Sequence, residues 1–185
     1  MAGAVQLFTA DSAIAQENPP CDVLTGGGFI INKGAKANFG VGGACKDGGD
    51  GHGLWGHLEY IDHGIGLNVH WTSITAYIFQ ESTIDPNTRR LIRVRGICGT
   101  ARTNLYGPDD VDFVVRAGDG GEPGVLDEFD IQLSKRGNVV YTTVNAGYPH
   151  KLNAGNGGGG NIQLHGPRAD AGSCPARVGF IGAPA

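Results

Sequence analysis

The stretch GLWGHLEYIDHGIGLNVHW, residues 53–71, decides the fold class of this chain. On both sides of a glycine-containing turn, apolar and polar residues alternate, which is the pattern of two β-strands with one buried and one exposed face. The stretch also carries three of the chain's six histidines, with two carboxylates between them: His57, Glu59, Asp62, His63 and His70. It is therefore the first place to look for a metal site or for catalytic chemistry.

Strand parity predicts which of these side chains share a face. The apolar side chains of the two strands must lie on the same side of the hairpin. A loop over residues 64–67 meets this condition and places Ile61 opposite His70. His63 and His70 are then diagonal neighbours on the outer face, about 7–8 Å apart. Two imidazoles at that distance can share a Zn or Cu ion, with help from carboxylates. The candidate metal ligands are His63, His70, Glu59, Asp62 and His165. The alternative is that these imidazoles only form hydrogen bonds on a polar sheet face.

Glycine makes up 33 of the 185 residues, more than twice its usual share of about 7%. It clusters between apolar, strand-like segments, and no segment shows the 3.6-residue apolar period of a helix. In residues 128–133 the apolar residues occupy every second position, which predicts one dry and one wet face. Roughly ten short strands with glycine-rich turns imply an all-β fold, an antiparallel β-sandwich or a jelly roll. Outside the opening stretch, the predicted strands are residues 23–32, 35–41, 73–79, 89–103, 110–117, 126–134, 139–144 and 161–165.

The chain divides into three regions. Residues 1–20 form a disordered tail or the remnant of a signal peptide, because Ala13-Ile14-Ala15 matches the small-x-small cleavage pattern. Residues 21–165 are the predicted β-sandwich domain. Residues 166–185 are rich in Ala, Gly and Pro, and we expect this C-terminal extension to be tied back to the domain.

Four cysteines and no Cys-x-x-Cys pair suit two disulfides in an exported protein. Three connectivities exist, and we favour Cys45–Cys98 with Cys21–Cys174 tying the ends. Free, buried thiols are the alternative. The cysteines predict a secreted, extracellular protein.

Two further sets of residues are candidate binding sites. Asp119, Glu122 and Asp127 lie in and beside a glycine loop, and carboxylates on such a loop suit Ca²⁺; the alternative is that Asp and Gly are simply good turn residues. Trp55, Trp71 and Tyr77 could form a platform on which a sugar stacks, although core packing explains each of them equally well.

Charge and motifs exclude several classes of function. The net charge is −4, and neither this charge nor any motif supports nucleic-acid binding. Arg89, Arg93 and Arg95 share one strand face, which we expect to be solvated. No apolar run approaches the ~20 residues of a membrane span. The Gly-x-Ser-x-Gly motif of a serine nucleophile is absent.

Five segments in order resemble a known family: CDVLTGGGFI (21–30), NFGV (38–41), GHLEYIDH (56–63), DGGEPGVLDEF (119–129) and GGNIQLH (159–165). Together they are similar to the uncharacterised post-COAP type domain of secreted bacterial proteins, which occurs next to "choice-of-anchor" surface modules. The resemblance covers about residues 21 to 165. It implies an exported, cell-surface-associated β-sandwich and supplies no catalytic residue.

Two functions follow from these patterns. The first is a secreted, disulfide-stabilised β-sandwich module that binds an extracellular glycan, matrix component or surface protein, with Ca²⁺ as a candidate cofactor. The alternative is an extracellular metalloenzyme that uses a Zn or Cu ion at His63 and His70 to act on a polymer.

Overall fold

A computed structural model describes residues 22–45, 54–144, 149–153, 158–166 and 171–172. These residues contain ten strands and no helix. None of them belongs to a helix of the length and apolarity that crossing a membrane requires. The strands are β1 (Val23–Asn32), β2 (Ala35–Cys45), β3 (Leu54–Asp62), β4 (Leu67–Ile84), β5 (Leu91–Thr103), β6 (Val111–Asp119), β7 (Glu128–Lys135), β8 (Asn138–Thr142), β9 (Gly159–His165) and β10 (Ala171–Gly172).

The strands form one antiparallel sheet in the order β8-β7-β6-β5-β4-β3-β2-β1-β9, and β10 pairs with β4. The predicted all-β, antiparallel class is confirmed. The sandwich or jelly roll is not confirmed, because eight consecutive strands lie side by side in a single sheet of the described chain. Residues 171–172 of the predicted C-terminal extension pair with β4, whereas residues 1–20 lie outside the described residues.

The sheet is rolled around one core, so that strands far apart in the strand order face each other. The rings of Phe39 on β2 and Phe129 on β7 stack with their centroids 3.8 Å apart. Across the core, the rings of Tyr60 on β3 and Tyr141 on β8 are tilted against each other, with their centroids 5.8 Å apart. Side chains from β1 to β9 join in this single apolar cluster. Burial of apolar surface at about 25 cal/mol per Å² is the main force that holds such a rolled sheet closed.

Local sequence explains how the meander turns. Lys33 and Gly34 join β1 to β2 with φ values of 51° and 83°, and Arg136 and Gly137 join β7 to β8 with 50° and 79°. Positive φ at both central residues defines the type I′ turn, whose twist matches that of the flanking strands. The second turn lies between the strands that the sequence predicts over residues 126–134 and 139–144. A separate strand predicted over residues 73–79 is instead part of the 18-residue β4, which bends through three register shifts against β5.

Cys98 is buried on β5 and takes part in a disulfide. The side chains of the other three cysteines, Cys21, Cys45 and Cys174, lie outside the described residues. Both pairings, Cys45–Cys98 and Cys21–Cys174, therefore stay predictions.

Candidate functional site

The sequence predicted that His63 and His70 are neighbours, but the register of the β3–β4 hairpin separates them. Glu59 lies directly opposite His70, and Asp62 lies opposite Leu67, so the loop covers residues 63–66 rather than 64–67. The predicted facing of the two strands is right, but the register is displaced by two residues. His63 consequently lies in the loop, where its Nε2 is 2.9 Å from Oδ1 of Asn38. His70 instead contacts the carboxylate of Glu59.

The other predicted metal ligands point away from this pair. Asp62 faces the core, with only 3% of its surface exposed. His165 lies at the end of β9, with its Nε2 3.5 Å from the hydroxyl of Thr25. No group of three His, Cys, Asp or Glu side chains suited to a metal ion occurs within the described ranges. The structure therefore does not assemble the predicted His cluster.

Two of the three predicted calcium ligands hold the edge of β9. Asp127 accepts the backbone N–H of Ile162 at 2.6 Å and that of Gly120 at 2.9 Å. Asp119 accepts the N–H of Leu164 at 3.0 Å. The free edge of a strand presents its backbone groups at alternate residues, and these carboxylates occupy them in place of a neighbouring strand. We call this contact between β9 and the β6–β7 loop the seam.

The remaining oxygens of the seam carboxylates are also engaged. The second oxygen of Asp119 accepts the N–H of Gly121 at 2.7 Å, and Arg93 donates to the first at 2.9 Å. Glu122 accepts from the side-chain amides of Asn161 and Gln163 on β9. A Ca²⁺ ion placed among these oxygens would face N–H hydrogens, so the arrangement suits strand closure better than metal binding.

Burial changes the ionisation of the seam. It raises the pKa of Asp127 to about 6. The hydrogen bonds from the two backbone N–H groups lower this pKa, whereas the negative charges of Asp119 and Glu122 raise it further. The amides of Gln163 and Asn161 hold the pKa of Glu122 below its usual range. The seam therefore contains one carboxylate that gains a proton easily and one that keeps its charge.

The three aromatic residues predicted as a sugar platform differ in exposure. Trp55 has 43% of its surface exposed on β3. Trp71 is partly buried against the main core. Tyr77 is fully buried and donates a hydrogen bond to Asp22. A shared platform of all three is therefore wrong, because Tyr77 cannot reach a ligand; Trp55 alone is openly available.

Trp55 belongs to a continuous outer face formed by β9, β1, β2, β3, β4 and β5. Direct cross-strand partners define one row across these strands: Asn161, Gly27, Gly40, Glu59, His70 and Arg102. We call it the glycine row. Partners in a sheet point to the same side, and the exposed Glu59, His70 and Arg102 identify that side as the solvent face.

The middle of the glycine row is an open floor. A Cβ atom added to Gly40 would meet no heavy atom within 4 Å, and one added to its partner Gly27 would meet only the carbonyl oxygen of Phe39, at 3.5 Å. Beside them, the ring of His57 lies over Gly42, since a Cβ there would come within 2.6 Å of His57 Cε1. Trp55 contacts His57 edge-on at 5.7 Å. Glycine at position 42 thus leaves room for the His57 and Trp55 rings to approach the backbone of β2, next to the open floor.

One end of the glycine row is concave. A depression of about 390 Å³ is lined there by Glu59, His70 and Arg102 together with Ile61 and Asn104. This set offers a carboxylate acceptor, a guanidinium fork, an imidazole and an amide beside an exposed apolar side chain. Such groups can bind several hydroxyls at once.

Sequence reasoning identified Glu59, His70 and Trp55 but missed Gly27, Gly40 and Arg102. A glycine inside a strand often marks a place where another molecule approaches the backbone closely. Alternation alone places Gly40 on the outer face with Asn38, so that signal was present in the sequence. The pairing of β1 with β9, which adds Asn161 to the row, had no local signal.

Comparisons with protein-family models, with curated proteins and with solved structures found no match for this chain. The proposed function therefore rests on the side chains and their arrangement.

Proposed function

We propose that this chain is an extracellular binding module whose outer face binds a polysaccharide along the glycine row. The observation that carries the proposal is the open floor at Gly27 and Gly40, which adjoins both an aromatic pair and a polar depression. Six strands spaced by about 4.8 Å give the row a length of about 24 Å. That length suits an extended chain of several sugar units.

The chemistry of the row supports a sugar ligand. Glu59 and Arg102 are planar, hydrogen-bonding side chains that match pairs of neighbouring hydroxyls. Trp55 presents an apolar ring face to the C–H groups of a sugar ring. His70 and Glu59 contact each other, which fixes both side chains before a ligand arrives. Preorganised groups lose less entropy on binding.

We also propose that the protein is secreted and is related to the post-COAP type domain. The disulfide at Cys98 is of the kind that persists in oxidising compartments. The resemblance to the post-COAP type domain, with its association with bacterial cell-surface proteins, agrees with an extracellular ligand. Nothing in the described residues favours the metalloenzyme alternative, so we propose binding without catalysis.

The test is a substitution that fills the floor. Gly40→Val adds a side chain where a Cβ meets nothing, and Thr83→Val is a matched control at an exposed position near the far end of β4. Affinity for immobilised cellulose, chitin, alginate and dextran is measured by affinity electrophoresis. We expect at least one polysaccharide to bind, Gly40→Val to weaken it about tenfold or more, and Thr83→Val to leave it unchanged. Absence of binding to all four polymers, or equal binding by both variants, contradicts the proposal.

A further inference from the structure

A second cavity, separate from the outer face, opens at one end of the rolled sheet. It has a volume of about 440 Å³ and lies between the β1–β2 turn, the β3–β4 loop and β8. Pockets of about 300–1,000 Å³ are of the size that small ligands occupy. Its lining includes the buried carboxylate of Asp62 and the exposed Lys33 of the β1–β2 turn, together with Asn32, Ile65, Tyr106, Val139 and Tyr141. We call it the end cavity.

The end cavity runs from a rim that carries two exposed apolar side chains and Lys33 to a buried carboxylate. Ile65 and Val139 at the rim are 54% and 44% exposed, whereas Asp62 is 3% exposed. Tyr106 lies between these extremes and is half-buried. A ligand that enters therefore loses water from apolar groups first and meets a negative charge last.

Asp62 is held entirely by neutral donors. Tyr141 donates its hydroxyl to Oδ2 at 2.7 Å, Asn32 donates its amide at 3.1 Å, and the N–H of Gly64 reaches Oδ1 at 2.8 Å. No Lys, Arg or His among the described residues forms an ion pair with this carboxylate. A buried carboxylate without a countercharge is costly, and a cation supplied from outside would offset that cost.

The surrounding tyrosines respond to this charge. Burial raises the pKa of Tyr106, and the negative charge of Asp62 adds to the effect. The same two causes act on Tyr60, whose pKa is also raised although the hydroxyl of Tyr141 opposes them. The aromatic ring of Tyr106 in the wall adds a second element that attracts cations.

We propose that the end cavity binds a small organic cation, an amine whose ammonium group meets Asp62 while its apolar part lies against Ile65, Val139 and Tyr106. A metal ion fits less well, because Asp62 is the single carboxylate in the wall and the rim carries two apolar side chains and Lys33. This site is independent of polysaccharide binding on the outer face.

The proposal is tested by titrating the folded protein with three probes of similar shape and different charge, followed by NMR or calorimetry. We expect phenethylammonium to bind at least about tenfold more tightly than 2-phenylethanol, and phenylacetate not to bind. Equal binding of the alcohol would reduce the cavity to an apolar pocket and overturn the proposal, as would no binding of the amine.

Variants locate the binding in the end cavity. Asp62→Asn removes the charge, and we expect it to lower amine affinity about tenfold while leaving the alcohol unaffected. Because Asp62 is buried, a second variant avoids the core: Val139→Trp fills the exposed rim, and Val125→Trp is the control at an exposed apolar position in the β6–β7 loop. Loss of amine binding in Val139→Trp alone supports the proposal; retention in Val139→Trp overturns it. Polysaccharide binding is expected to survive in every one of these variants.

Discussion

The carboxylate of Asp127 accepts the backbone N–H of Ile162 at 2.6 Å, across the gap between the β6–β7 loop and the edge of β9. Asp119 accepts the N–H of Leu164 in the same way, and the side-chain amide of Asn153 donates to the carbonyl of Gly160 at 2.8 Å. Three side chains thus contact three alternate residues of that edge. A rolled sheet normally closes by a backbone ladder. Here polar side chains complete the closure: Asp119 and Asp127 come from the motif segment 119–129, and all three side chains contact the backbone of segment 159–165.

Asp127→Ala should weaken the seam more than any exposed change in the same loop. The substitution leaves the N–H groups of Gly120 and Ile162 without an acceptor, and each buried, unsatisfied donor costs about 1–3 kcal/mol. We expect the free energy of unfolding to fall by about 2 kcal/mol or more in urea denaturation. Val125→Ala, at an exposed position, should stay within about 0.5 kcal/mol of the parent. Equal stability of the two variants would show that the seam does not hold β9.

The raised pKa of Asp127 gives stability a pH dependence of unusual sign for a carboxylate. The folded state takes up a proton near pH 6 and the unfolded chain only near 3.8, so this group's contribution to stability grows as pH falls from 7 toward 4 and is lost as pH rises through 6. Between pH 7 and pH 5 the gain is about 1 kcal/mol. Urea denaturation at the two pH values should show this gain in the parent but not in Asp127→Asn. The same change in both proteins would assign the effect to another group.

Alternation along the chain predicted the strands well but could not predict how they are arranged. β1 has the predicted bounds, and the turn at Arg136-Gly137 lies between two predicted strands. A sandwich and a rolled meander have the same two-residue period, so the pattern cannot separate them. The choice depends on contacts such as Phe39 with Phe129, which are distant in sequence.

The failed predictions concern polar side chains whose partners are far away in the chain. The even-numbered positions of β7 were expected to be wet, yet Glu128 and Asp130 are buried, because Glu128 pairs with Arg116 and Asp130 forms a hydrogen bond with His150. The hairpin register differs by two residues because β3 ends at Asp62, whose carboxylate accepts the hydroxyl of the distant Tyr141 and the N–H of Gly64 in the loop. Local pattern carries no information on such partners.

Gly34 and Gly40 both have open space where a side chain would start, but they differ in backbone conformation. Substituting each by alanine therefore isolates the effect of backbone strain. A Cβ would meet nothing within 4 Å at Gly34 or at Gly40, but only Gly34 has a positive φ, +83°. Gly34→Ala should therefore lower the free energy of unfolding by about 1 kcal/mol, whereas Gly40→Ala should raise it by about 0.5–1 kcal/mol because glycine is costly inside a strand. Thermal unfolding of both variants checks the difference. Changes of the same sign would contradict the assignment of the β1–β2 turn.

Arg95, which the sequence placed on a solvated face, is buried. It is 2% exposed, and its Nε lies 3.2 and 3.1 Å from the two oxygens of Asp22, itself 1% exposed. Tyr77 donates to the same carboxylate. This ion pair ties the residue before β1 to β5 inside the core, where salt screens it little.

Breaking one half of this pair should cost far more than replacing both halves. Asp22→Leu leaves a buried, unpaired guanidinium, which costs about 3–5 kcal/mol. Adding Arg95→Met should restore much of that loss, because a buried ion pair and an apolar pair of similar volume are often close in stability. Urea denaturation of the parent, both single variants and the double variant gives the coupling energy, which we expect to be about 2 kcal/mol or more. Additive losses in the double variant would mean that Arg95 is stabilised by its contact with Phe79 and its bond to the Val94 carbonyl rather than by Asp22.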